Sequence, residues 1–180
     1  MEYEVIRSRR RTVALEIKNG KLLVRAPLLM SNARIAALVQ EKRAWIEKRL
    51  AKAQALQNAE KLTPEELRAL AKQAAQVIPE RVRYYAPQIG VSYGRITIRA
   101  QRTRWGSCSA KGNLNFNCLL MLAPPGVLDS VVVHELCHRK EMNHSERFYA
   151  EVLRVFPAYR KHQKWLKDNG DALMARIRDE

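Results

Sequence analysis

The sequence predicts an α+β fold, and three patterns carry that prediction. Short runs of alternating polar and apolar residues stand near the N-terminus and again around residue 115. A helix-start signature stands at Thr63, and the C-terminal third spaces its apolar residues helically. Taken in order, Tyr3-Glu4-Val5-Ile6 and Thr12-Val13-Ala14-Leu15-Glu16-Ile17 read as strands. Asn19-Gly20 then supplies a type I′ turn before Leu22-Leu23-Val24, so a small antiparallel sheet with a β-hairpin is expected. Beyond Pro27, Ser31 or Asn32 can cap a helix whose apolar positions Ile35, Leu38, Val39, Trp45, Ile46 and Leu50 carry it into the fifties. The stretch Leu56 to Leu62 is the expected linker, dividing an N-terminal lobe of hairpin and helix (residues 1–60) from a second domain (61–180). Thr63-Pro64-Glu65-Glu66 combines a cap, a proline at the first helical position and a glutamate three residues past the cap, and the helix it opens should reach about Tyr85. Ile96, Ile98 and the turn-rich Gly106 to Gly112 lead into Asn113-Leu114-Asn115-Phe116-Asn117-Cys118, a strand with its asparagines on one face. Three helices should follow, at about 126–142, 145–155 and 158–175, parted by Asn143 and Pro157.

Composition narrows the function classes. Of the 180 residues 47% are hydrophobic and 28% charged, enough to bury a core and too mixed for a disordered or fibrous chain. The longest nearly apolar run, Cys118 to Leu128, is interrupted by Pro124, Pro125 and Gly126 and falls short of the roughly 20 residues that cross a bilayer, so no membrane partner is expected. The opening residues lack the apolar core of a secretory signal, which makes the cytoplasm the default compartment. Cys108, Cys118 and Cys137 form no CxxC pair, so reduced thiols are expected rather than a disulfide framework. A net charge of +15 attracts nucleic acid, nucleotides and acidic surfaces. The excess is densest in residues 91–120, where Arg99, Arg102 and Arg104 have no acidic neighbour, and lowest in 121–150, where the histidines gather.

The chemistry lies in those histidines. His134-Glu135-Leu136-Cys137-His138 is an HExxH pattern. On a helix two histidines four apart rise about 6 Å with an offset of about 40°, so both rings reach one ion, whereas on a strand they stand about 13 Å apart. Val131-Val132-Val133 favours a strand locally, and the metal reading therefore requires packing to override propensity. Zinc suits neutral imidazole nitrogens and keeps an open position for water. Glu135, about 100° around the helix, reaches that water rather than the ion, the place of a general base. The third ligand is His144, with Asp168 or Asp171 as a downstream carboxylate alternative. The spacing HExxHxxxxxH is that of the metzincins, but Glu141 stands at their glycine position. Asn143 can end the helix and turn the chain back towards the ion.

The run His134 to Phe148, preceded by Arg104-Trp105-Gly106-Ser107-Cys108 and by Leu122-Ala123-Pro124-Pro125, resembles the YgjP-like metallopeptidase family, and the likeness extends to Val24-Arg25-Ala26-Pro27 and Trp45-Ile46. It is more distantly similar to the SprT-like and WLM zincins. The resemblance implies a minimal zincin fold, a helix-packed sheet with its edge strand beside the HExxH helix. It also implies one zinc ion on His134, His138 and His144, with Glu135 catalytic. Cys137 stands where alanine is expected and reads as a small packing residue.

Arg104 is a candidate for binding a substrate carboxylate or phosphate, and Asn115 and Asn117 are candidates for lining an edge strand to which an extended peptide adds. His162 reads as structural. Three functions follow: a zinc-dependent peptidase acting on a peptide or protein; a metal-dependent nucleotide phosphohydrolase of pyrophosphatase type; and a nucleic-acid-associated module or protease.

Overall fold

A computed structural model describes residues 1–18 and 20–177. The chain divides into two compact units, Met1–Ala59 and Glu60–Glu180. In the first, strands β1 (Tyr3–Ser8), β2 (Ala14–Lys18) and β3 (Lys21–Pro27) form a sheet of order β1-β3-β2, followed by helices α1 (Asn32–Glu41) and α2 (Arg43–Gln57). The β2–β3 hairpin is antiparallel as expected, with Leu15 opposite Val24. Gly20 of its turn takes φ 74°, a conformation glycine adopts without strain, while Asn19 lies outside the described residues. The expected all-antiparallel sheet is corrected at β1, which pairs with β3 in parallel, Val5 opposite Val24. Ser31 caps α1 by accepting the Arg34 N–H. The single helix expected here is broken at Lys42. Residues 40–45 are all exposed, so no apolar face holds a continuous rod across them, and Trp45 lies on the surface. Ile35, Val39 and Ile46 seal the sheet's core with Leu22, Val24 and Ala26.

The second unit opens with α3 (Pro64–Ile89), whose capping box is formed from both sides: Thr63 Oγ1 accepts the Glu66 N–H at 3.2 Å, and Glu66 accepts the Thr63 N–H at 2.7 Å. The helix runs four residues past the expected Tyr85. Its apolar stripe continues through Ala86 to Ile89, and Gly90, at φ 76°, then ends it in a left-handed cap.

Strands β4 (Ile96–Arg99), β5 (Gly106–Cys108) and β6 (Leu114–Asn117) form a second sheet of order β4-β6-β5, β6 running parallel to β4 and antiparallel to β5. This corrects the placement of Asn115 and Asn117 on an edge strand. With Leu114 and Phe116 fully buried, β6 occupies the centre, and β5 is the edge that packs on the next helix. A short 3-10 helix, Cys118–Leu122, leads to α4 (Pro125–Cys137), α5 (Glu146–Val155) and α6 (Tyr159–Met174).

Helix α4 is surrounded by α3, α5, α6 and β5. That burial on nearly every face makes the Val131–Val133 run helical despite its β-branched side chains, since packing outweighs a propensity cost of a few tenths of a kcal/mol per residue. None of the helices among the described residues is long and apolar enough to cross a membrane.

Helix α5 is tied to the segment before it by Glu151, which accepts from Lys140 Nζ at 2.6 Å and from Arg154 at 2.7 and 2.9 Å. The Arg154 hydrogen bonds, chiefly, and then those of Lys140 hold the Glu151 carboxyl down to about 2. A carboxyl lowered on folding stabilises above its unfolded value of 4.5 and loses that contribution as pH falls towards 2. Both cations are well exposed, which discounts the pair to about 1 kcal/mol. Glu151→Gln should therefore lower unfolding free energy by that amount at pH 7 and flatten its decline between pH 4.5 and 2, measured by urea unfolding across pH.

Candidate metal centre

His134 lies in the last turn of α4 and His138 caps it. The helix ends at Cys137 rather than the expected residue 142. The N–H groups of Arg139 and Lys140 turn to the carbonyls three residues back, at 3.0 Å each. The Arg139 guanidinium fastens this turn by donating to Ser92 O and Ala110 O. The reversal thus begins at His138, five residues before the expected Asn143, and residues 139–145 bring His144 alongside. Ser145 then caps α5, its Oγ accepting the Phe148 N–H.

The result is a group of three imidazoles, His134, His138 and His144, whose nitrogens lie within 4.8 Å of one another. His134 Nε2 stands 3.2 Å from His138 Nε2 and 3.1 Å from His144 Nε2. Neither carboxylate alternative joins them: Asp168 accepts from Lys164 Nζ, and Asp171 lies outside the group. Phe148, fully buried, packs against all three rings with centroids 4.6 to 5.0 Å away.

These residues fit a divalent cation. His138 Nδ1 lies 3.0 Å from Glu141 O, an acceptor only, so Nδ1 carries the proton and Nε2 of the neutral ring is a bare lone pair. Burial first, then the neighbouring His138 and His144, pushes His134 down to about 3, keeping that ring neutral as well. Burial likewise lowers His138. Four-coordinate zinc with bonds of 2.0–2.1 Å separates its nitrogens by about 3.3 Å, close to the observed spacing.

Glu135, only 6% exposed, stays out of this group and has no hydrogen-bond or ion-pair partner among the described residues. Burial pushes its carboxyl up to about 8. It is held by Gly106 of the edge strand: a Cβ there would stand 2.7 Å from Glu135 Cγ and Oε1. His134 and Glu135 open on a cleft of about 310 Å³, with Trp105, Val131 and Leu166 as apolar walls and Arg104 among its lining residues.

Asn117 is fully buried and spends its amide on Gln101 O and Arg104 O while its Oδ1 accepts the Leu119 N–H, so it shapes the 101–105 loop from below. Asn115 donates to Ser107 Oγ across to β5. Cys137 is buried, its thiol pushed up to about 12, a packing residue. His162 sits over Gly126, where a Cβ would lie 2.5 Å from its ring, and so packs on the start of α4. Two contributors escaped the sequence reading. Gly106 stood inside a quoted motif without a role, and Tyr159, whose Oη lies 2.8 Å from His134 Nδ1, is 25 residues from its partner.

The family profile of the YgjP-like metallopeptidase domain matches residues 11–68 and 57–169. Comparison with curated proteins finds no match. Among solved structures, the metallopeptidase zymogen abylysin of Pyrococcus abyssi is 19% identical, with 51% of this chain and 94% of that one covered and a TM-score of 0.47. The metallopeptidase zymogen jannalysin of Methanocaldococcus jannaschii is also 19% identical, with 52% and 97% covered and a TM-score of 0.47.

Proposed function

The chain belongs to the YgjP-like metallopeptidase family, and on that premise we propose that it is a zinc peptidase in which His134, His138 and His144 hold one ion and Glu135 is the general base. The observation that carries this reading is the convergence of three imidazoles beside a buried carboxyl that no cation among the described residues neutralises. When bound, the ion would supply Lewis-acid polarisation of the scissile carbonyl and a water of lowered pKa. Ionised by the positive charge a cation would bring beside it, Glu135 takes the proton of the attacking water on its carboxylate and hands it to the departing amine, within the cleft it shares with His134. Gly106 keeps that carboxylate on the cleft side of α4. Trp105, Val131 and Leu166 exclude water around it.

All four residues lie in 61–180, which we assign as the metallohydrolase domain, with residues 1–60 as an accessory lobe. Elemental analysis of the purified protein, run beside hydrolysis of a peptide panel and a nucleotide panel, tests the reading. About one zinc per chain and new peptide amino termini are expected. Phosphate or pyrophosphate released from nucleotides, without peptide cleavage, would replace it with the phosphohydrolase.

A further inference from the structure

We propose that Tyr159, backed by Gln163, is a positioning residue that fixes the tautomer of His134 and thereby sets the affinity of the three-imidazole site for a divalent cation. This rests on the metal reading given above.

His138 and His134 are held differently. A carbonyl faces His138 Nδ1, and a carbonyl can only accept, so backbone alone decides that tautomer. A hydroxyl faces His134 Nδ1, and a hydroxyl can donate or accept. The decision therefore passes to whatever meets the other side of Tyr159 Oη, which is the Gln163 amide at 3.2 Å, one helical turn further along α6.

Two settings of this relay are possible. With the amide nitrogen towards Oη, Gln163 donates and offers the phenol proton no acceptor, so that proton is driven to His134 Nδ1 and the ring is biased to carry its own proton on Nε2. That proton then points at His138 Nε2, 3.2 Å away, where an ion would need a lone pair. With the amide turned over, Gln163 Oε1 accepts the phenol proton, Tyr159 Oη accepts from His134 Nδ1–H, and Nε2 offers its lone pair to the site. Amide nitrogen and oxygen occupy interchangeable positions, and the exposed Gln163 side chain is free to make the turn. Tyr159, only 4% exposed, has no such freedom, so the relay has one fixed member and one rotating member. A cation selects the second setting, and any change that disfavours it weakens loading.

The test measures zinc affinity of the full chain by competition with a chelator, and reads the His134 tautomer from imidazole 15N shifts of the metal-free protein. Tyr159→Phe should weaken zinc binding by about 10- to 100-fold and move His134 towards the Nε2–H form, with the far-UV dichroism kept. Gln163→Leu should weaken it by about tenfold. Gln163→Glu, whose carboxylate only accepts, should bind zinc at least as tightly as the parent and hold His134 as Nδ1–H.

Unchanged zinc affinity in both Tyr159→Phe and Gln163→Leu, or a lowered melting temperature as the sole effect, would overturn the inference. Should Tyr159→Phe fail to fold, opposite shifts from the two surface Gln163 variants support it and equal affinities overturn it. A parent protein that binds no zinc removes the metal reading itself, and this inference with it.

Discussion

Glu135→Gln is expected to lower kcat for peptide hydrolysis by about 10³-fold while leaving zinc affinity within a few-fold of the parent. Size and shape are conserved, so the packing against Gly106 survives. What disappears is the ability to take a proton from water and return it to the leaving amine, a function that general acid–base catalysis makes worth about 10²- to 10⁴-fold. Because Glu135 lies outside the imidazole group, the ion's donors are untouched. Steady-state kinetics and a chelator titration on the same preparation check both halves. Turnover at the parent rate would remove the general-base role, and loss of zinc together with activity would make Glu135 a ligand instead.

Gly106→Ala should cut kcat/KM by about 100-fold and lower unfolding free energy by about 1–3 kcal/mol. The added methyl would sit 2.7 Å from Glu135 Cγ and Oε1 and 2.9 Å from Cδ, inside van der Waals contact. Neither side can yield easily. Gly106 is registered against Phe116 in the sheet, and Glu135 rises from a helix packed on nearly all its faces. The carboxylate must leave its rotamer, and displacement by about 1 Å is enough to spoil proton transfer. Denaturant unfolding and kinetics separate the two effects; a variant as active and as stable as the parent would show that the close approach has no functional role.

Much of the local structure was legible in the sequence. The Thr63 capping box, the β2–β3 hairpin and the helices after residue 124 depend on neighbours within a few positions, and the interactions that form them are written there. The convergence of the imidazoles was legible for the same reason, two of them being one helical turn apart and the third following a short reversal. Non-local pairing was not. Nothing in Tyr3–Ser8 indicates a parallel partner at Lys21–Pro27, and the alternation of Leu114–Asn117 is equally compatible with an edge and with a centre. The end of α4 was misplaced because carbonyls at Ser92 and Ala110, far along the chain, hold Arg139. Tyr159 and Gly106 were missed because their contacts cross elements.

Two of the three imidazoles share the fate of the core, for α4 is enclosed by three helices and a strand. His144 does not: it is exposed and follows a surface segment whose start is held by Arg139 and Lys140, while the ring itself rests on the buried Phe148. Local opening costs least where few buried contacts are broken. Fraying of residues 142–145 alone would release one donor while leaving the other two, and the Glu141 carbonyl that faces His138, in register, so on this reading an ion enters and leaves through a hinged gatepost, without the protein having to come apart.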